Sequence, residues 1–335
     1  MNFDLQYEDS IRKEKQKFKY ERFSRYCDFI YYTSSLDNSL RLAARILKPE
    51  KPSYILATTH GWHMSIPEFK EYNSAQSDYL RVEVDMRGRA FSDGKPDCNG
   101  YELFDVIDAI EYVKKNYAEY IIDPETVFFE AGSGGGGNAL AIACKFPDYF
   151  SHITALCGIS DYEKWYLGDK VGEFQDELKV WIGGISNKEA YATRSGAKLT
   201  KNLITPLAII HGGKDIRVPI SHAKEFILEA RKNGKGELIN FLELSTVGGW
   251  SHWENITDDQ INKRDTFIVK DRNSRKVSSK IPQKGELTVG GYLVTRHFSV
   301  FLKDINRIAT LRYDLTEKTA TLEGFDRNEY EIYWR

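Results

Sequence analysis

Ser133 is the one side chain with chemistry in the glycine turn of the run Glu130-Ala-Gly-Ser-Gly-Gly-Gly-Gly-Asn138. The run follows Thr126-Val-Phe-Phe129, a short β-branched and aromatic stretch that reads as a buried strand. It precedes Ala139-Leu-Ala-Ile-Ala-Cys-Lys-Phe146, a helix-forming stretch that stops at Pro147. Strand, tight glycine turn and helix in that order suit three purposes. Gly132, Gly134 and Gly137 match G-x-G-x-x-G, with Asp161 downstream for a ribose contact, which would make the turn a dinucleotide cradle. No lysine follows to make a P-loop. A nucleophile elbow of the G-x-S-x-G kind instead forces a serine onto a strained turn with its Oγ exposed. Glycines that merely let a helix pack closely on a strand need no chemistry at all.

The rest of the chain bears on that choice. A serine hydroxyl attacks a carbonyl only if a base takes its proton, and the base needs an acid to hold its tautomer and stabilise the imidazolium. On sheets that carry a nucleophile elbow, the chain order is Ser, then Asp or Glu, then His. Three histidines follow Asp215: His222, His252 and His297. His222 falls within a helical stretch and His297 within a β-rich one, whereas His252 ends Gly248-Gly-Trp-Ser-His252, a loop that can reach back across a sheet rim. The pattern casts Ser133 as nucleophile, His252 as base and Asp215 as orienting acid. Blander roles stand beside these: a turn hydroxyl, a loop-packing histidine and a helix N-cap before Pro219.

The elements that must position these groups follow from hydrophobic period and turn chemistry. Phe29-Ile-Tyr-Tyr32 and 40–47 flank an Asp37-Asn38 turn signal and are expected to form an antiparallel hairpin. Strands are expected at 54–59, 80–84, 126–129, 153–157, 207–210 and 238–244. Leu103, Val106, Ile107, Ile110 and Val113 fall on one stripe of a helix over 101–117, and 219–232 is a second helix. A mixed helical stretch covers 162–203. Strands alternating with helices imply an α/β fold, a mostly parallel sheet with helices on both faces, whose ligand sits beyond the carboxyl ends of the strands. Ser133, Asp215, His252 and the His60-Gly-Trp62 segment all lie just past strand ends. From about 280 the pattern turns to short alternating runs, a small all-β unit of about five strands. The expected organisation is an N-terminal arm over 1–27, a catalytic domain over 28–272, a linker near 273–283 and the β unit over 280–335.

Four motifs in one order carry a resemblance. Ser133-Gly-Gly-Gly-Gly with Phe146-Pro-Asp-Tyr-Phe150, Asp85-Met-Arg-Gly88 to Ser92, His211-Gly-Gly-Lys-Asp215 with Val218-Pro219, and Gly249-Trp-Ser-His252 together resemble an α/β-hydrolase of the prolyl-oligopeptidase type, a group that also holds many esterases. The resemblance covers about 28–270. It implies a serine hydrolase with Ser133, Asp215 and His252 as its catalytic set, and backbone N–H groups of Gly134 and Trp62 as its oxyanion hole. His63, Arg87, Trp165 and Trp250 become candidate substrate contacts. Arg87 is more readily a loop tie, and Trp165, with Tyr166 and Trp181, more readily core packing. His60 and His211 read as structural parts of His-Gly turns. Ala131 stands where the family elbow has its first glycine, and Ala90 replaces a usual glycine of the Asp85 loop. The family's peptidases carry a large N-terminal propeller or sandwich that the 27 residues before this domain do not supply. That difference and the small elbow favour an ester over a peptide substrate, with a peptidase as the alternative. A scaffold that has lost catalysis and binds a glycan or protein is the non-enzymatic alternative.

Composition narrows the partners. Hydrophobic residues make up 41% and charged residues 29% of the 335, with a net charge of −2, which gives no electrostatic reason to expect a nucleic acid or an anionic membrane. The expected substrate is a small-molecule or glycan-linked ester, or a peptide. No apolar run has transmembrane length, and the first residues lack a signal-peptide pattern. Cys27, Cys98, Cys144 and Cys157 show no C-x-x-C spacing, so no zinc site and no cofactor are expected, and a reducing, cytoplasmic setting is. The β unit is expected to pack on the catalytic domain or on a second copy of the chain.

Overall fold

The structure, a computed structural model, describes residues 25–66, 77–169 and 174–335, so the expected arm over 1–27 lies almost wholly outside the described residues. Eight strands make the first sheet: β1 (Cys27–Thr33), β2 (Arg41–Leu47), β3 (Ile55–Thr59), β4 (Leu80–Asp85), β5 (Val127–Gly132), β6 (His152–Leu156), β7 (Leu207–Gly212) and β8 (Ile239–Leu244). Their order is β1-β2-β4-β3-β5-β6-β7-β8. β1 and β2 form the expected antiparallel hairpin, and β3 to β8 run parallel. The parallel strands have few exposed positions, as strands covered by helices on both faces must.

Helices α1 (Leu103–Asn116), α2 (Gly134–Lys145) and α6 (Ser221–Lys232) pack on this sheet, while α3 (Tyr162–Gly168), α4 (Gln175–Trp181) and α5 (Lys188–Arg194) form a cap between β6 and β7. The stripe read for α1 is its buried face: Leu103, Val106, Ile110 and Val113 have no exposure. A long helix, α7 (Asp258–Arg275), was not anticipated. Its surface is mostly polar, which hides the usual apolar period. Its start is nonetheless written in a capping box, Thr257 with Gln260, followed by Asp258 and Asp259. Polar contacts hold it to the sheet: Asp271 to His152 at 2.8 Å, and Arg272 to Glu130.

The C-terminal unit is one six-stranded antiparallel sheet. It contains β9 (Lys284–Gly290), β10 (Tyr292–Val294), β11 (Phe298–Leu302), β12 (Ile308–Asp314), β13 (Thr319–Leu322) and β14 (Tyr330–Trp334), in the order β13-β12-β9-β10-β11-β14. β10 is one strand more than the sequence suggested. All three of its residues are buried, so no polar–apolar alternation announces it. Leu293 belongs to the core of the small sheet, with Val289, Phe298, Val300 and Leu311. Tyr292 and Val294 point the other way, into the main core. The small sheet is thereby stitched to the catalytic domain. Tyr292 Oη donates to Gly100 O at 2.7 Å, Asn202 exchanges two 2.7 Å bonds with the Thr288 backbone, and Arg194 donates to Ile305 O and Asn306 Oδ1.

Candidate active site

Ser133, between β5 and α2, has φ 60° and ψ −122°, a left-handed conformation that a non-glycine residue adopts only under constraint. The constraint is visible. Ser133 N donates to Leu156 O on the neighbouring strand, and Ser133 O accepts from Gly137 N, so the turn is closed on both sides. Helix α2 begins at Gly134, five residues earlier than the sequence reading placed it. Glycine is a poor helix former, at a cost of about 1 kcal/mol each relative to alanine. Here space overrides propensity: a Cβ on Gly134 would lie 2.7 Å from Trp62 N, and one on Gly136 2.6 Å from Leu156 O. The glycines are needed for close approach of backbone to backbone.

Asp215 lies beyond β7 in a loop that fixes both of its oxygens. Oδ1 accepts from Arg217 N at 2.9 Å and Val218 N at 3.1 Å. Oδ2 lies 2.6 Å from His252 Nδ1. Burial pushes this carboxyl up, but the bond to His252 and the backbone donor at Val218 outweigh it, and Asp215 sits below the ordinary carboxylate value. The His252 loop is bonded to the Asp215 loop by its backbone: Lys214 N donates to Val247 O at 2.9 Å and Ile216 N to Gly249 O at 3.2 Å. Glu254, two residues past His252, closes the loop by accepting from Trp250 N at 2.7 Å. The His252 side chain keeps 21% exposure, whereas that of Asp215 has none. Among the described residues no hydrogen bond joins Ser133 Oγ to His252. Such catalytic bonds are commonly long before substrate arrives.

The oxyanion candidates lie together. The Gly134 backbone packs against Trp62 N, and Gly61 approaches Ser133 Cβ at the outer limit of contact, 4.0 Å from where its own Cβ would be. The Trp62 indole is held away from this edge in a cage of Tyr162, Trp165, Phe174 and Trp181, with ring centroids 4.8 to 6.4 Å apart. Any oxyanion contact from Trp62 would therefore come from its backbone N–H.

The four candidate substrate contacts divide. Trp250 is 72% exposed and lines a cleft of about 950 Å³, together with Trp165, Asp215, Ile216 and Arg217. Trp165 lends that cleft an edge but spends its ring on Phe174, stacked at 4.1 Å, and its Nε1 on Arg217 O. Arg87 is buried and grips Asp105 through Nε and Nη2, a loop tie away from the cleft. His63 faces Glu177 at 2.9 Å. His60 and His211 are also tied in, to Met86 N and Val218 O respectively. Asp161 N-caps α3 and pairs with Lys198, so it is occupied in ways a ribose contact would not require.

Sequence reasoning did not single out three residues that organise the site: Glu254, Glu177 and Asn99. Asn99, fully buried with φ 60°, donates to Gly137 O, Tyr162 Oη and Arg194 O and accepts from Asn138, joining the elbow helix to the cap. Its left-handed backbone in Cys98-Asn99-Gly100 was a faint signal, since asparagine is enriched there. Cys157 Sγ, a His211 nitrogen and an Asp215 oxygen lie within 4.8 Å of one another. As a donor set for a metal ion this fits poorly. Asp215 is engaged on both oxygens, His211 Nε2 contacts Val218 O, and burial pushes the Cys157 thiol up.

The strand order, the strained Ser133 turn and the Asp215–His252 contact now stand beside known proteins. The family model described as the prolyl oligopeptidase family matches residues 62–267, more than half of the chain. The chain belongs to that family. It is 27% identical over 139 residues to the uncharacterized peptidase YuxL of Bacillus subtilis (strain 168), a match covering 42% of this chain and 21% of that protein. In fold it is similar to an acylaminoacyl peptidase of Pyrococcus horikoshii, with TM-score 0.61 and 21% identity over 75% of this chain and 42% of that one. It is also similar to an esterase of Pyrococcus furiosus, with TM-score 0.55 and 13% identity, covering 79% of this chain and 94% of the esterase. The chain thus spans less than half the length of the peptidases of the family that it matches. Among the described residues, no helix is long and apolar enough to cross a membrane.

Proposed function

We propose that this member of the family is a serine hydrolase that cleaves carboxylic esters through an acyl-enzyme. The observation that carries the acyl-transfer reading is the 2.6 Å contact of His252 Nδ1 with a doubly anchored Asp215. With Nδ1 donating to Asp215, His252 presents Nε2 as the basic nitrogen. Nε2 accepts the Ser133 proton as Oγ attacks the ester carbonyl, and the developing oxyanion is met by the N–H groups of Gly134 and Trp62. His252 returns the proton to the departing alkoxide. A water molecule, deprotonated by the same nitrogen, then releases the acid and restores Ser133.

The ester preference rests on the cleft that borders Asp215 and the exposed Trp250 beside His252, although Ser133 and His252 are not themselves among its lining residues. Its charged groups are largely engaged with their neighbours: Glu225 with Lys164, Glu229 with Lys232, and Asp169 with the N–H groups of Phe174 and Gln175. Exposed Trp250, Ile216 and Leu228 supply apolar surface. Such a lining suits an acyl or alkyl group better than a peptide backbone, which needs hydrogen-bonding partners. A peptidase is the second reading, favoured by the names of the similar proteins.

A fluorophosphonate probe and a substrate panel test both levels. Labelling of wild-type protein but not of Ser133→Ala supports the hydrolase, and failure to label folded wild-type protein supports a scaffold without catalysis. Short-chain p-nitrophenyl esters should be turned over with higher kcat/KM, relative to their uncatalysed rates, than aminoacyl p-nitroanilides. The reverse ranking would establish the peptidase.

A further inference from the structure

Glu177 is fully buried on α4, in the cap, and its carboxylate is directed at the loop after β3 rather than at the cleft. Oε2 accepts from Trp62 Nε1 at 2.5 Å, and both oxygens lie 2.9 Å from His63 Nε2. A carboxylate taken out of water is costly unless it is fully bonded, and these two neighbours on one loop are its hydrogen-bond partners. The same loop supplies the Trp62 N–H that packs against Gly134. Four aromatic rings from the cap region surround the Trp62 indole, which leaves its Nε1 aimed at Glu177. The indole ring is therefore a lever. Its backbone end borders the nucleophile turn, and its side-chain end is gripped by the cap.

We propose that Glu177 is a positioning residue, which acts through Trp62 and His63 to set the Trp62 N–H where it meets the oxyanion of the acyl-transfer step. The claim rests on the hydrolase reading above. It gives the cap a task other than recognising substrate: the cap holds half of the oxyanion hole in register. A donor displaced by about 1 Å from the developing charge forfeits roughly a hundredfold in rate, so a bond that fixes this donor has a kinetic effect without touching substrate.

The test is a double-mutant cycle of Glu177→Ala and Trp62→Phe, read by kcat and KM on p-nitrophenyl butyrate and by the rate of fluorophosphonate labelling, which also passes through an oxyanion. Each single variant should lower kcat and the labelling rate by roughly 10- to 100-fold, with KM changed less than about threefold. The double variant should be no slower than the slower single one, because both remove the same bond. Glu177→Gln, whose amide oxygen can still accept from Trp62, should recover most of the rate. Unchanged kcat in a folded Glu177→Ala protein, a change confined to KM, or multiplicative effects in the double variant would each overturn the proposal. If Glu177→Ala does not fold, Trp62→Phe carries the test, and wild-type kcat in that variant overturns the proposal equally. Failure of the hydrolase reading looks different: folded wild-type protein would not be labelled, or Ser133→Ala would be labelled and turn over ester like the parent, whatever Glu177 does.

Discussion

The side-chain nitrogen of Lys145 lies 4.3 Å from the centroid of the Tyr292 ring, although one residue ends the helix of the nucleophile turn and the other comes from the C-terminal sheet. Both are fully buried. Lys145 Nζ also donates to Asn99 O at 3.1 Å, and burial pushes its pKa far down. Through Asn99 and its bonds to Gly137 and Asn138, the small sheet is in contact with the machinery around Ser133.

This contact predicts the behaviour of the small sheet on removal. Truncation after residue 278 takes Tyr292 and Val294 out of the main core and leaves Gly100 O and one Lys145 face bare. Tyr292→Ala alone should destabilise the protein by about 3–5 kcal/mol, measured by denaturant unfolding. The truncated chain should be insoluble or melt well below the parent. A truncated chain as stable as the parent, impaired only on a polymeric substrate, would make the sheet a binding module.

Ser133→Ala should lower turnover by at least about 10³-fold and leave the melting temperature near that of the parent, because the covalent route is lost while packing is not. A variant with a tenth of the parent activity would remove Ser133 from the mechanism.

Asp215→Asn should cost roughly 10⁴-fold in kcat, since an amide in that place can favour the wrong His252 tautomer. His252→Ala should be equally severe, whereas His222→Gln should leave activity largely intact. The reverse ranking of the two histidines would show that the base has been misassigned.

His222 instead predicts an acid limit to stability. Burial pushes it down to about 4 from an ordinary 6.5, against the pull of Asp161 and with His211, Lys164 and Asp215 around it. The unfolded chain therefore binds a proton that the folded chain refuses between these values. The stabilisation is fully present above pH 6.5 and is lost as pH falls towards 4, by roughly 3 kcal/mol for this one group. Unfolding free energies between pH 4 and 7 should show a shallower slope in His222→Gln than in the parent. Equal slopes would mean that His222 titrates normally in the folded state.

Much of the layout of the candidate site is legible in the chain because it depends on local order. The parallel strands announce themselves by β-branched and apolar runs, and each candidate loop follows such a run directly, so Ser133, Asp215 and His252 read from the chain as lying past the ends of strands, here β5, β7 and β8 of one sheet. What the chain could not disclose depends on partners distant in sequence. The start of α2 at Gly134 is decided by Trp62 and Leu156, which leave no room for a Cβ. The polar helix α7 is held by Glu130 and His152, more than a hundred residues away, with Ile268 and Phe267 adding a small apolar contact to β7 and β8 in place of a full stripe. Three-residue β10 forms because the two cores meet on its opposite faces. Glu177 is one more acid in a charged stretch until the cap folds over Trp62 and His63. Its meaning lies in a contact across 115 residues, and no local pattern encodes such a contact.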